Sequence, residues 1–111
     1  MDPRTVIAER HLILRTPKGE SPVTVQIGAP HPSPDKTDWQ CPYRIQRLSD
    51  RRLRFSVGLD AVQALELVTQ MIEADLFALN HDYSGGLCWP AGTPYFQVAK
   101  PTKRPRSAKR K

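Results

Sequence analysis

The run LDAVQALELVTQMIEADLFALNH, residues 59–81, holds a single periodicity for longer than any other stretch, and it limits what the chain can fold into. Val62, Leu65, Thr69, Ile72, Leu76 and Leu79 recur at spacings of three and four, and Ala61, Ala64, Val68 and Met71 widen the stripe. That spacing predicts one amphipathic helix over about 61–80, roughly 30 Å long at the standard rise. Asp60 stands at the N-cap, where its carboxylate accepts from free backbone N–H groups. Gln63, three residues on, is placed to reach back to the Asp60 N–H in a variant of the capping box. The helix ends near Asn80-His81-Asp82, and Gly85-Gly86 forbids its continuation. One helix with one apolar stripe needs a second layer to cover that stripe.

The residues ahead of the helix supply that layer as strands. Residues 5–15 read as a strand in which Leu12, Ile13 and Leu14 run together, as in a strand covered on both sides near one end. TPKGESP follows as a turn, with Gly19 available for a positive φ. In residues 23–28, Val23, Val25 and Ile27 alternate with Thr24 and Gln26, so the two runs predict a hairpin. Residues 29–38 are a stiff connection with Pro30, Pro32 and Pro34 at alternate positions.

Beyond it, Trp39, Cys41, Tyr43 and Ile45 share one face of a third strand, where Pro42 points to an edge position or a bulge. Leu53, Phe55 and Val57 share one face of a fourth. A three-residue loop, Ser49-Asp50-Arg51, would pair Leu48 with Arg52, Ile45 with Phe55 and Tyr43 with Val57. Tyr43 and Phe55 then face inward, and Arg44, Arg52 and Arg54 line the outer face. LCWP and TPYFQVA are short apolar pieces around Pro90-Ala91-Gly92, fit for one or two short strands or for coil. The fold class is therefore α+β: a meander of about four antiparallel strands with one long helix across one face.

Charge divides the chain. Of 17 Lys and Arg in 111 residues, seven lie in 100–111: Lys100, Lys103, Arg104, Arg106, Lys109, Arg110 and Lys111. None of the 11 acidic residues lies there, so residues 1–99 hold ten basic against eleven acidic groups and are nearly neutral. The expected organisation is one domain over 1–99 and a disordered basic tail over 100–111. The tail would bind polyanions weakly and with steep salt dependence, without base-reading geometry. With Arg44, Arg52 and Arg54 it makes up a candidate polyanion surface. The competing reading of the hairpin arginines is an edge protected from aggregation by charge.

Catalytic constellations are missing from the sequence. Cys41 and Cys88 are 47 residues apart, and His11, His31 and His81 are scattered, without the close ligand pair that zinc sites favour. Neither thiol sits at a predicted helix N-terminus, and both read as core cysteines. Ser84 lacks a nucleophile elbow, Gly85-Gly86 is a turn pair rather than a phosphate cradle, and no paired carboxylates are visible. No catalytic residue, cofactor or metal is expected. No run approaches the roughly 18 apolar residues of a membrane span. No secretory signal is visible, and a reducing cytoplasm with free thiols is the expectation.

ERHLIL, VTVQIGAPHPSPDKTDWQCPYRI, VGLDAVQALELV and the later LCW resemble a family of small bacterial domains of unknown function, the DUF6968 group. The likeness covers about residues 9–90. Its most specific pieces are Ile27-Gly28-Ala29-Pro30, Trp39, Cys41-Pro42-Tyr43, and Gly58 with Asp60-Ala61-Val62-Gln63-Ala64-Leu65. The resemblance implies a bacterial cytoplasmic protein and carries no catalytic residue. The expected role is a non-enzymatic binding or accessory module with an unidentified protein partner, as a monomer or weak homodimer. The alternative is a nucleic-acid-associated protein acting through the tail and the hairpin arginines.

Overall fold

The computed structural model describes residues 5–96. The order is β1 (Val6–Thr16), β2 (Gly19–Gly28), β3 (His31–Pro32), β4 (Trp39–Arg47), β5 (Leu53–Gly58), α1 (Ala61–Asp82) and β6 (Leu87–Cys88). All strand pairs are antiparallel and form one open sheet. Its six strands exceed the expected four, because two-residue strands form at His31–Pro32 and Leu87–Cys88. The four long strands β1, β2, β4 and β5 make the expected meander. The basic tail, residues 100–111, lies outside the described residues.

The first hairpin follows its side-chain alternation. Thr16 pairs with Gly19 across Pro17-Lys18, and Gly19 takes a φ of +119° that a Cβ would oppose. Val23 and Val25 are buried with Leu12 and Leu14 on the helix side. Ile13, on the other face beside Cys88, is half-buried, so the Leu12-Ile13-Leu14 run is covered fully on the helix side and partly on the other. β3 continues β2 along the same edge of β4, after a break at Ala29-Pro30. Pro42 faces that break, where the ladder needs no donor. β4 is an interior strand, so the edge reading of Pro42 does not hold; the residue sits instead at the gap between β2 and β3.

The register of β4 and β5 differs from the expected one by three residues. Tyr43 lies opposite Arg54, Pro42 opposite Phe55, and Cys41 opposite Ser56. The hairpin closes earlier, with Arg47 and Asp50 bonded to each other across Leu48-Ser49. Leu48 adopts a φ of 49°, a left-handed conformation that its side chain gives no reason to expect. Phe55 and Val57 consequently face away from the helix and are exposed, and Ser56 and Gly58 face it and are buried.

The helix makes that choice physically sensible. Ser56 Oγ donates to the Ala64 carbonyl. A Cβ on Gly58 would lie 2.5 Å from the Ala64 backbone nitrogen. The first turns of α1 therefore rest directly on β5, at a distance that Phe and Val would not permit.

Asp60 caps α1 as expected: its Oδ1 accepts from Gln63 N at 2.7 Å. Gln63 closes the box one residue earlier than expected, with Oε1 accepting from Leu59 N at 2.6 Å. The buried stripe is Ala64, Val68, Ile72, Leu76 and Leu79. Val62 and Thr69, assigned to the stripe from spacing, are exposed. Each fully buried leucine in this layer contributes about 1.5–3 kcal/mol relative to exposure.

Candidate binding site

The helix does not lie centrally on the sheet. It packs chiefly over β4 and β5 and meets β6 toward its C-terminal end. The β1–β2 end of the same face is left partly open: Ala8 is exposed and Ile27 half-buried. The result is a cleft of about 170 Å³ between β1 and α1. Ala8, Val25, Ile27, Thr69 and Ile72 line it, and Glu9, Arg10 and Glu73 complete its wall. A cavity near 150 Å³ accepts a benzene-sized group, so the cleft matches one large apolar side chain.

A polar clamp ties the strand to the helix beside the cleft. Arg10 Nη1 donates to the Tyr95 hydroxyl at 2.7 Å, and that hydroxyl donates to Glu73 Oε2 at 2.6 Å. The Arg10 guanidinium also lies 5.1 Å from the Trp89 ring centre and 5.7 Å from that of Tyr95. Burial, and then the Glu73 carboxylate, raise the Tyr95 phenol above its usual pKa. The phenol therefore remains a donor throughout the physiological range.

The backbone beside the cleft is the second element of the site. β2 pairs along one side of β1, but β6 reaches only Ile13 and Leu14 on the other. Among the described residues, no strand pairs with that second edge along Val6–His11. An unpaired edge next to an apolar cleft can take main-chain hydrogen bonds and one anchoring side chain together. Sequence reasoning missed this site. Its only local signal is Ala8, a small residue amid larger ones; the offset of the helix left none.

The three hairpin arginines do not share a face. Arg52 and Arg54 lie on the helix side, and Arg44 lies on the outer side, where its Nη2 donates to Gln26 Oε1 at 3.0 Å. Arg52 is bound to Asp50 through Nε at 3.3 Å and Nη2 at 3.2 Å. Arg54 lies 3.5 Å from Asp75, which also accepts from the Tyr43 hydroxyl at 2.8 Å. The Arg52 guanidinium, before any other cause, holds the Asp50 carboxyl down at about 2. Arg47, Arg52 and Arg54 share one hollow with Asp50, Asp75 and Asp82, so local charge is balanced there. The expected row of outward arginines is thus replaced by internal ion pairs. The other candidate polyanion residues, those of the tail, lie outside the described residues.

Both cysteines are buried and free. Cys41 Sγ donates to the Gly28 carbonyl and Cys88 Sγ to that of Gly86. β2 and β1 stand between their strands, which are roughly 14 Å apart at standard spacing, and Cys41 lies level with the start of β1 whereas Cys88 pairs with Ile13, so the two thiols are farther apart still. Burial pushes the Cys41 thiol pKa up. Among the described residues no cluster of three potential metal ligands forms, and no helix is long and apolar enough to cross a membrane.

No curated protein and no solved structure matches the chain. The model of a family described as a domain of unknown function, DUF6968, matches residues 8–98, from the open edge of β1 to just past the Tyr95 clamp, and the chain belongs to that family.

Proposed function

We propose that this domain is a non-enzymatic protein-binding module that takes an extended segment of a partner protein along β1. The observation that carries the reading is the Val6–His11 edge, unpaired among the described residues, running beside the apolar cleft at Ala8, Ile27 and Ile72. The partner's backbone adds to the sheet, and one of its apolar side chains enters the cleft. Glu73 is matched by Arg10 at 4.0 Å and the Glu9 carboxylate is held by Gln26 and His11, so the anchor pocket itself is chiefly apolar. The nucleic-acid alternative draws less support, since Arg52 and Arg54 are held by the domain's own aspartates.

A displayed library of random decapeptides tests the reading. Enriched peptides should share an aliphatic or aromatic anchor flanked by alternating residues. Ala8→Arg and Thr69→Arg, at exposed cleft positions, should each weaken binding at least tenfold while the unfolding midpoint stays near that of the wild type. An absence of enrichment, or peptides that bind both variants as well as the parent, would refute it.

A further inference from the structure

The other edge of the sheet is β5, and its sequence has a symmetry of its own. Around Ser56, the run Arg52-Leu53-Arg54-Phe55-Ser56-Val57-Gly58-Leu59-Asp60 places like with like and charge with opposite charge. Phe55 and Val57 are equidistant from Ser56, as are Leu53 and Leu59, and as are Arg52 and Asp60. All four apolar side chains are exposed, from 39% for Leu53 to 78% for Leu59. β5 itself ends at Gly58, and Leu59 and Asp60 follow in a bend in which Asp60 keeps extended dihedrals, φ −147° and ψ 178°. Among the described residues, no strand pairs with the edge of β5 away from β4.

From this we infer that β5 pairs antiparallel with β5 of a second copy, about a two-fold axis at Ser56. Phe55 then lies opposite the second copy's Val57, Leu53 opposite its Leu59, and Arg52 opposite its Asp60. An inward-facing charge normally protects an edge strand from such pairing. Here Arg54 is that charge, and Asp75 of the same chain neutralises it at 3.5 Å. Arg52 uses Nε and Nη2 on Asp50, so its Nη1 hydrogens remain for Asp60 of the second copy. Centring the axis on Phe55 instead would set Asp50 against Asp60 and Arg51 against Leu59. The charge pattern therefore selects Ser56. A two-fold contact of this kind is self-complementary and closes without forming fibres. The inference concerns the edge opposite the cleft and does not rest on the peptide-binding reading.

A six-residue strand pair with four apolar side chains per copy belongs among small interfaces, so dissociation in the range of about 10–100 µM is expected. Sedimentation of the full chain over a concentration series should show a monomer–dimer equilibrium in that range. Phe55→Glu and Val57→Lys, both at exposed positions, should each weaken the dimer at least tenfold, with circular dichroism confirming that they fold. For the register, Phe55→Cys and Val57→Cys chains mixed under mild oxidation should link to each other in preference to themselves. The native thiols are buried and stay out of that reaction. A monomer at every concentration up to about 1 mM, far above that range, a dimer indifferent to both charged substitutions, or preferential self-linking would overturn the inference.

Discussion

The two edges of this sheet solve the same problem in opposite ways. β5 is a strand whose helix side is filled: Ser56 and Gly58 let α1 rest on it, and its large side chains are turned outward. β1 is a strand whose helix side is empty at Ala8, because the same helix sits away from it. At β5 the exposed material is a stripe on the far face, suited to a flat, identical strand. At β1 it is a cleft on the near face, suited to a single protruding side chain. One displacement of one helix produces both surfaces.

Gly58→Ala breaks the arrangement at its source. The added Cβ meets the Ala64 backbone at 2.5 Å, a contact that no side-chain rotation relieves. The expected loss is about 2–3 kcal/mol, read from urea unfolding. A variant as stable as the parent would show that α1 does not rest on β5 in this way.

Acid sharpens the contrast. Hydrogen bonds from the Ser33 hydroxyl first, and then from Thr37, hold the Asp35 carboxyl at about 2, and Arg52 does the same for Asp50. Both folded values lie below the ordinary 3.8, so the associated stability is complete above about pH 4 and is lost as pH falls through 2. Asp50 closes the β4–β5 hairpin and Asp35 orders the loop between β3 and β4. Amide signals of β5 should therefore broaden before those of the β1–β2 hairpin during titration from pH 5 to about 2. The reverse order would contradict the assigned pairs.

Much of the scaffold was legible because it follows local rules. The helix, its Asp60 cap, the Val23-Val25-Ile27 face and the positive φ of Gly19 all follow from periodicity or from backbone chemistry. The β4–β5 register was not legible, because it depends on a left-handed Leu48, a conformation that turn statistics assign to Gly or Asn. Alternation alone then turned Phe55 and Val57 inward, where contact with Ala64 leaves room only for Ser56 and Gly58. The arginine row failed with it, since a shift of three residues carries every side chain of β5 to the opposite face. The cleft was invisible for a different reason. It exists because a helix is offset by a few ångströms, and no spacing in one chain encodes that offset directly.

The proposed dimer uses β5 as its self-pairing edge and leaves β1 out. Amide hydrogen exchange of the full chain, compared at about 1 µM and about 500 µM on either side of the expected dissociation range, tests it most directly. Protection within Leu53–Gly58 should rise with concentration, and protection of Val6–His11 should stay constant. Exchange in β5 that is the same at both concentrations, or a rise confined to β1, would contradict it.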